Sequence, residues 1–257
     1  MRNILAIMLF ACVCFLYAQD DVQTQPLEET KEQTTVETPS YEQNDDGGAL
    51  RSLLSANKLT WDITSIATFE NGRIVKLNLN NPVTGKEGIT KLTPDIGGLT
   101  ELTVLTMNDN DLTELPIEIT KCTKLIQLEI QYNALTSLPP GISRLANLKV
   151  LDLRNNEFEA LPAEICRLPA IEKLQLWGNK FVSLPDEISD LSTLKELYLK
   201  GNRLTNLPAS IVKLRLKYID VVDNKLCNLN APLDAWLKKF DEKYKGLQKC
   251  VGEKRFK

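Results

Sequence analysis

The 257-residue sequence contains no histidine, the one side chain whose unperturbed pKa lies in the neutral range. That absence excludes Ser-His-Asp and Cys-His nucleophile systems, HExxH zinc sites and imidazole proton shuttles. GxGxxG, P-loop and CxxC patterns are also missing, so no nucleotide cofactor and no metal is expected. Long apolar runs are lacking too. The longest, Ile4 to Tyr17, has 14 residues, short of the roughly 20 that span a bilayer. The net charge is only −3, and the charge balance offers no large basic surface for nucleic acid.

What is present begins with an export signal. Met1-Arg2-Asn3 is a short basic start, Ile4 to Tyr17 an apolar core, and Leu16-Tyr17-Ala18 a small-residue cleavage site before Gln19-Asp20. Residues 1–18 are therefore expected to be a secretory signal peptide. The alternative is lipidation, since Leu9-Phe10-Ala11-Cys12 resembles a lipobox that would anchor the chain through Cys12. Residues 19–48 hold nine acidic residues against the single Lys31, with little to bury, and are expected to be disordered. Lys238 to Lys257, with eight basic and three acidic residues, reverses that charge at the other end.

Leucine is the abundant residue, at 42 positions, and it is periodic. Aligned on LxxLxLxxNxLxxLP, units begin at Leu102, Leu125, Leu148, Ile171, Leu194 and Leu216, with spacings of 23, 23, 23, 23 and 22 residues. Leu-Pro pairs recur in the same register from Leu115-Pro116 to Leu207-Pro208, and asparagine closes each strand segment at Asn110, Asn133, Asn156, Asn179, Asn202 and Asn224. Within a unit such as Leu148–Leu153, period-two alternation sends Leu151 and Leu153 inward and Val150, Asp152 and Arg154 outward on a short strand. One coil cannot bury its own leucines, but stacked coils form a continuous core. The asparagine amide carries donors and an acceptor, which suits a hydrogen-bonded ladder along the stack. Ile119, Ile142, Ile165, Ile188 and Ile211 are expected to supply apolar contacts on the opposite side.

On these marks the chain is identified as a member of the leucine-rich repeat family. The 23-residue repeat LPxxIxxLxxLxxLxLxxNxL is similar to those of plant intracellular Ras-group and animal scaffold proteins. Together with an export signal it resembles the small exported leucine-rich repeat proteins of pathogenic bacteria. The resemblance implies an α/β repeat solenoid: a right-handed horseshoe with a parallel β-sheet on its concave face, where a protein partner is recognised. It also implies a host-facing or virulence-associated role, with an envelope-associated scaffold or lipoprotein as the alternative.

The ends depart from the repeat. Residues 49–73, with Leu53-Leu54 and Trp61, resemble the amino-terminal cap of plant-type extracellular repeat proteins without its cysteines. Residues 74–230 then hold the repeats, starting with a degenerate unit at Ile74–Leu79 in which Pro82 stands where the ladder asparagine belongs and a loop runs to Gly88. In residues 231–257, Leu233, Trp236, Leu237, Phe240, Tyr244 and Leu247 have helical spacing, which predicts a capping helix over Pro232–Leu247 followed by a basic tail. Cys122 occupies a leucine slot and is expected to be a buried thiol. Cys166, in a slot otherwise filled by Thr120, Ser143, Ser189 and Val212, is expected to be partly exposed. Cys227 and Cys250 flank the capping helix and either bond, at about 3 kcal/mol of stabilisation, or remain two thiols.

The outward strand positions form three columns. The first is Val104, Gln127, Val150, Lys173, Glu196, Tyr218; the second Thr106, Glu129, Asp152, Gln175, Tyr198, Asp220; the third Asn108, Gln131, Arg154, Trp177, Lys200, Val222. Trp177, with Arg154 and Lys200 beside it, Tyr198 diagonal to it and Tyr132 and Tyr218 further out, has the composition of an interface hot spot. An alternative is that Arg154 and Lys200 merely shield the indole with their stems. The candidate partner-binding set is Trp177, Tyr198, Arg154, Lys200, Asp152, Gln175, Glu129, Tyr132 and Tyr218, on a chain expected to be monomeric. Glu129 and Asp152, adjacent in one column, match the separation of a glycosidase carboxylate pair, but an open sheet desolvates neither, and no enzyme is expected.

Overall fold

The computed structural model describes residues 45–81 and 88–250. The signal segment, Cys12, most of the acidic tail, the loop from Pro82 and the final basic residues lie outside them. Six strands of three residues each carry the repeat: β3 (Val104–Thr106), β4 (Gln127–Glu129), β5 (Val150–Asp152), β6 (Lys173–Gln175), β7 (Glu196–Tyr198) and β8 (Tyr218–Asp220). They pair in parallel and in register, because equal coil lengths return each strand beside its equivalent. β2 (Arg73–Asn78) joins β3 in the same sense. β1 (Ala67–Glu70) is added antiparallel to it through the Asn71-Gly72 turn, whose φ values of 50° and 77° belong to the tight hairpin turn that Asn-Gly favours.

Opposite the sheet, 3₁₀ turns such as Ile117–Lys121 and Ala209–Lys213 each start beside a Leu-Pro pair. They bury Ile119, Ile142, Ile165, Ile188 and Ile211 completely. Cys166 corrects the expectation made for it: it is 1% exposed, packed into the core by the turn Ile165–Arg167, whereas Ser143 and Ser189 in the same slot are partly exposed and Val212 is exposed. Burial pushes both the Cys122 and Cys166 thiols up to about 12.

The asparagine ladder is continuous. In Asn156, Nδ2 donates to Ile130 O (2.8 Å) and Leu153 O (3.2 Å), while Oδ1 accepts from Leu135 N (3.0 Å). Asn110, Asn133, Asn179, Asn202 and Asn224 repeat the pattern one coil at a time. Past Asn224 a glutamine takes over: Gln248, 5% exposed, donates from Nε2 to Val221 O (3.1 Å) and accepts from Leu226 N (3.3 Å). The residue before each ladder asparagine is left-handed, at Asp109, Tyr132, Asn155, Gly178, Gly201 and Asp223. Aspartate, tyrosine and asparagine adopt this conformation at four of these positions, but at Gly178 a Cβ would stand 2.2 Å from Asn155 Oδ1, so a side chain there would displace Asn155.

Both ends correct the sequence-based boundaries. Helix α1 (Asp45–Ala56) begins inside the segment expected to be disordered. The cause is Asp46, 1% exposed, whose carboxylate accepts from Ile74 N (2.8 Å) and pairs with Arg73 (2.9 Å). A short α2 (Ile63–Ile66), capped by Asp62, leads into β1. At the other end α3 covers only Ala231–Lys238, with Asn230 as its cap and Pro232 in its first turn. The expected helix stops there because Asp241 accepts from Lys243 N (2.8 Å) in a turn, after which Tyr244–Leu247 forms a separate 3₁₀ turn. Tyr244 donates to Asp234 (2.5 Å), which Lys245 and Lys238 also approach, and these groups hold that carboxyl well below the ordinary range.

Cys227 and Cys250 form a disulfide with Cα atoms 5.9 Å apart. It fixes the segment that carries Gln248 against the last coil. Replacing both cysteines by serine is expected to cost about 3 kcal/mol on chain-entropy grounds for a loop of this length. Amide exchange should accelerate most at Leu226 and Gln248; an unchanged denaturation midpoint would show that the bond adds nothing.

Candidate functional site

The solvent side of the sheet carries the three columns, and the register places Gln127, Val150, Lys173 and Glu196 side by side, as it does Glu129, Asp152, Gln175 and Tyr198. At roughly 4.8 Å per strand the face extends for about 30 Å. Its side chains fall into two connected groups.

The first centres on Arg154. Its Nε lies 2.8 Å from both oxygens of Asp152 and its Nη2 lies 2.6 Å from Oδ2, while Gln175 Nε2 donates to the same oxygen at 2.9 Å. The hydrogen bond to Asp152 raises the guanidinium further above its already high pKa, making the pair a fixed ionic unit. Arg154 then lies over the Trp177 ring, 5.5 Å from its centroid, a cation–π arrangement. Two expectations change here. Asp152, expected to face a partner, is fully buried, because the guanidinium and the Gln175 amide cover it. Trp177 is half-buried, with one face under Arg154; its indole N–H has no acceptor among the described residues.

Glu129 accepts from Gln127 (2.6 Å) and Asn108 (3.2 Å). With Asp152 holding several donors and no exposed surface, the two carboxylates present no free pair to a substrate. Asn108, in an outward column, is itself buried, its Oδ1 accepting from Gln131 N at 3.0 Å.

The second group lies across β6, β7 and β8. Lys173 sits 5.1 Å from the Tyr198 ring centroid and 3.3 Å from Glu196, to which the Tyr198 hydroxyl donates at 3.0 Å. Burial, then the bond to Glu196, raises the Tyr198 phenol. Tyr198 and Tyr218 place their rings 5.0 Å apart. Tyr218 is 46% exposed, and Lys200 on the strip between the groups is exposed too. Tyr132, 48% exposed, stands two coils away from Trp177 at a left-handed residue that leaves the sheet. The candidate set missed Lys173 and Glu196; both were visible in the first column beside Tyr198, where charge and ring have to meet.

Among the described residues no three His, Cys, Asp or Glu side chains converge as a metal site, and no helix is long and apolar enough to cross a membrane.

The leucine rich repeat family model matches residues 100–158, 123–181 and 169–226. The comparison with curated proteins found no match. Among solved structures the chain is similar to a plant ice-binding protein at 23% identity, covering 72% of this chain and 64% of that one with a TM-score of 0.63. That likeness concerns the fold alone. It is also similar to the PEPR1–AtPEP1 structure (26% identity, 72% of this chain, 32% of that chain, TM-score 0.55) and to a TDR receptor (27%, 63%, 29%, 0.54). The chain thus spans less than two thirds of each of these proteins. With the repeat register, the asparagine ladder and the parallel sheet all in place over the matched residues, the chain belongs to the leucine-rich repeat family.

Proposed function

We propose that this protein is an exported recognition module that binds a protein partner across the open face of its sheet, centred on Trp177. One observation carries the reading. Trp177 lies against Arg154, itself locked on Asp152, yet stays partly exposed, and its indole N–H has no acceptor among the described residues. A preorganised aromatic side chain with an unsatisfied donor loses little entropy on binding and has something to gain. Tyr198, Lys200 and Tyr218 extend the patch, and the width of the face suits the roughly 800 Å² each partner contributes to a standard interface. The likeness to a structure of PEPR1–AtPEP1 and to a TDR receptor supports binding as the use of the fold.

The Cys227–Cys250 bond supports an oxidising location outside the cytoplasm. Two buried thiols with pKa values near 12 tolerate such a compartment, because the reactive thiolate is scarce there. Free secretion and lipid anchoring at Cys12 are separated by fractionation of medium and envelope.

The test begins with cross-linking mass spectrometry on intact cell-surface material to identify the partner. Trp177→Ala with Tyr198→Ala should then weaken its binding about 30-fold or more, as for central hot spots, with circular dichroism unchanged. Equal affinity of the double variant would remove the proposal.

A further inference from the structure

The sheet face does not end at β8. Between that strand and the carboxyl-terminal cap lies a cleft of about 270 Å³. Buried Val221 and Leu237 line its base, Tyr218 and Phe240 give it aromatic surface, and Asp220 and Asp241 bring two carboxylates. No lysine or arginine lines it.

The carboxylates differ from others nearby. Glu172, Glu196, Asp223 and Asp234 each have a lysine within 4 Å. Asp220 instead accepts from Val222 N (3.0 Å) and Asp241 from Lys243 N (2.8 Å), both through Oδ1. Among the described residues neither has a cationic partner within 4 Å. Both act on the same phenol: after burial, Asp220 and then Asp241 raise the Tyr218 pKa. Two uncompensated negative charges beside aromatic rings over an apolar base form a setting for an organic cation, which the rings attract through their faces and the carboxylates through charge. An apolar occupant would strip water from the carboxylates without replacing it. A hard metal ion would find too few oxygens.

We propose that this end cleft receives a basic side chain, arginine or lysine, of the polypeptide bound along the sheet. The Tyr198–Tyr218 contact joins the cleft to the Lys173–Glu196 group of the sheet, and Trp177 follows the adjacent strand β6, so one extended partner segment reaches both. The identity of the occupant rests on the protein-binding reading of the sheet; its chemistry does not, and a small probe tests it separately.

The probe is N-acetyl-arginine methylamide, titrated into methyl-labelled full-length protein and followed by NMR. Saturable shifts are expected at the Val221 and Leu237 methyls. N-acetyl-norleucine methylamide, similar in shape and neutral, should not produce them. Asp220→Asn with Asp241→Asn keeps the Oδ1 acceptors for Val222 N and Lys243 N, hence the fold, and should weaken the arginine probe about tenfold, the scale of one charge-assisted hydrogen bond. Trp177→Ala should leave the shifts intact, so a failed probe beside a failed Trp177 variant in partner binding condemns only the cleft, and the reverse pattern condemns only the patch. Absence of shifts, equal shifts with the norleucine probe, or an unaffected Asn variant would each overturn the proposal. So would markedly tighter probe binding by a chain ending at Cys250, which would identify the protein's own residues 251–257 as the occupant.

Discussion

Asn156→Ala is expected to lower the unfolding free energy by about 3 kcal/mol, because a buried backbone group left unpaired costs about 1–3 kcal/mol and a second group loses its best hydrogen bond. Leu135 N would lose its acceptor and Ile130 O its closest donor, whereas Leu153 O would keep Asn179. No water can enter readily, since the residue is 4% exposed in the middle of the stack. Chemical denaturation followed by circular dichroism measures the loss. Because coils couple to their neighbours in one dimension, the lesion should also divide the transition, with the coils before and after Asn156 separating in amide exchange. A loss below about 1 kcal/mol, within the range of a single ordinary hydrogen bond, would show that the ladder is decorative. The same substitution at Asn224 should be milder if Gln248 can shift toward the vacated groups, which makes the pair of variants an internal comparison.

The ladder was legible in the sequence because it is local and repeated: a side chain acting on its own and the adjacent coil needs only the 23-residue spacing. Strand register and the buried isoleucine column follow from the same spacing. What escaped were interactions between residues that share no register. Asp46 orders α1 through Arg73, a partner 27 residues on, and composition alone placed it in an acidic tail. Gln248 extends an asparagine ladder with a longer side chain from a different backbone setting, so a search for asparagine passes over it. The capping helix was read too long because Phe240 and Tyr244 keep helical spacing by chance, while the Asp241 turn between them decides the backbone.

The face was legible in its columns but not in its exposure. Alternation says which side of the sheet a residue occupies; it does not say what covers it there. Asp152 points outward and is nonetheless buried, since the residue two positions on supplies a guanidinium and the next strand an amide. That burial turns Asp152 from a contact residue into the one that positions Arg154, and through it Trp177. Two of the nine candidate residues therefore change role while staying within the site, and the recognition surface moves toward Trp177, Lys200 and the Tyr198–Tyr218 pair.

Phe158→Ala is expected to cost about 4 kcal/mol, within the range for deleting a fully buried ring from a core that cannot collapse around the gap. Phe158 and Phe181 are both wholly buried and their rings lie 6.1 Å apart, inclined by 22°. The four other regular coils have leucine in this slot, at Leu112, Leu135, Leu204 and Leu226, and the degenerate first coil has Ile89, all completely buried. The two phenylalanines therefore occupy successive coils as a matched pair, and each fills space that a leucine in the next coil would leave. Two consequences separate this account from a general preference for bulk. Phe158→Leu alone should cost more than its lost volume suggests, because Phe181 keeps a ring with nothing of equal size against it. Phe158→Leu with Phe181→Leu restores the slot found in the remaining regular coils, and the double variant should be less destabilised than the sum of the singles by about 0.5–1.5 kcal/mol, the coupling measured for aromatic pairs. Strict additivity in that cycle would mean that the rings pack independently. The slot lies directly past the ladder asparagine, since Phe158 N donates to Asn179 and Phe181 N to Asn202, so a cavity there loosens the ladder beneath Trp177. Phe158→Ala should accordingly weaken partner binding as well as folding, and Phe158→Leu with Phe181→Leu should restore both together.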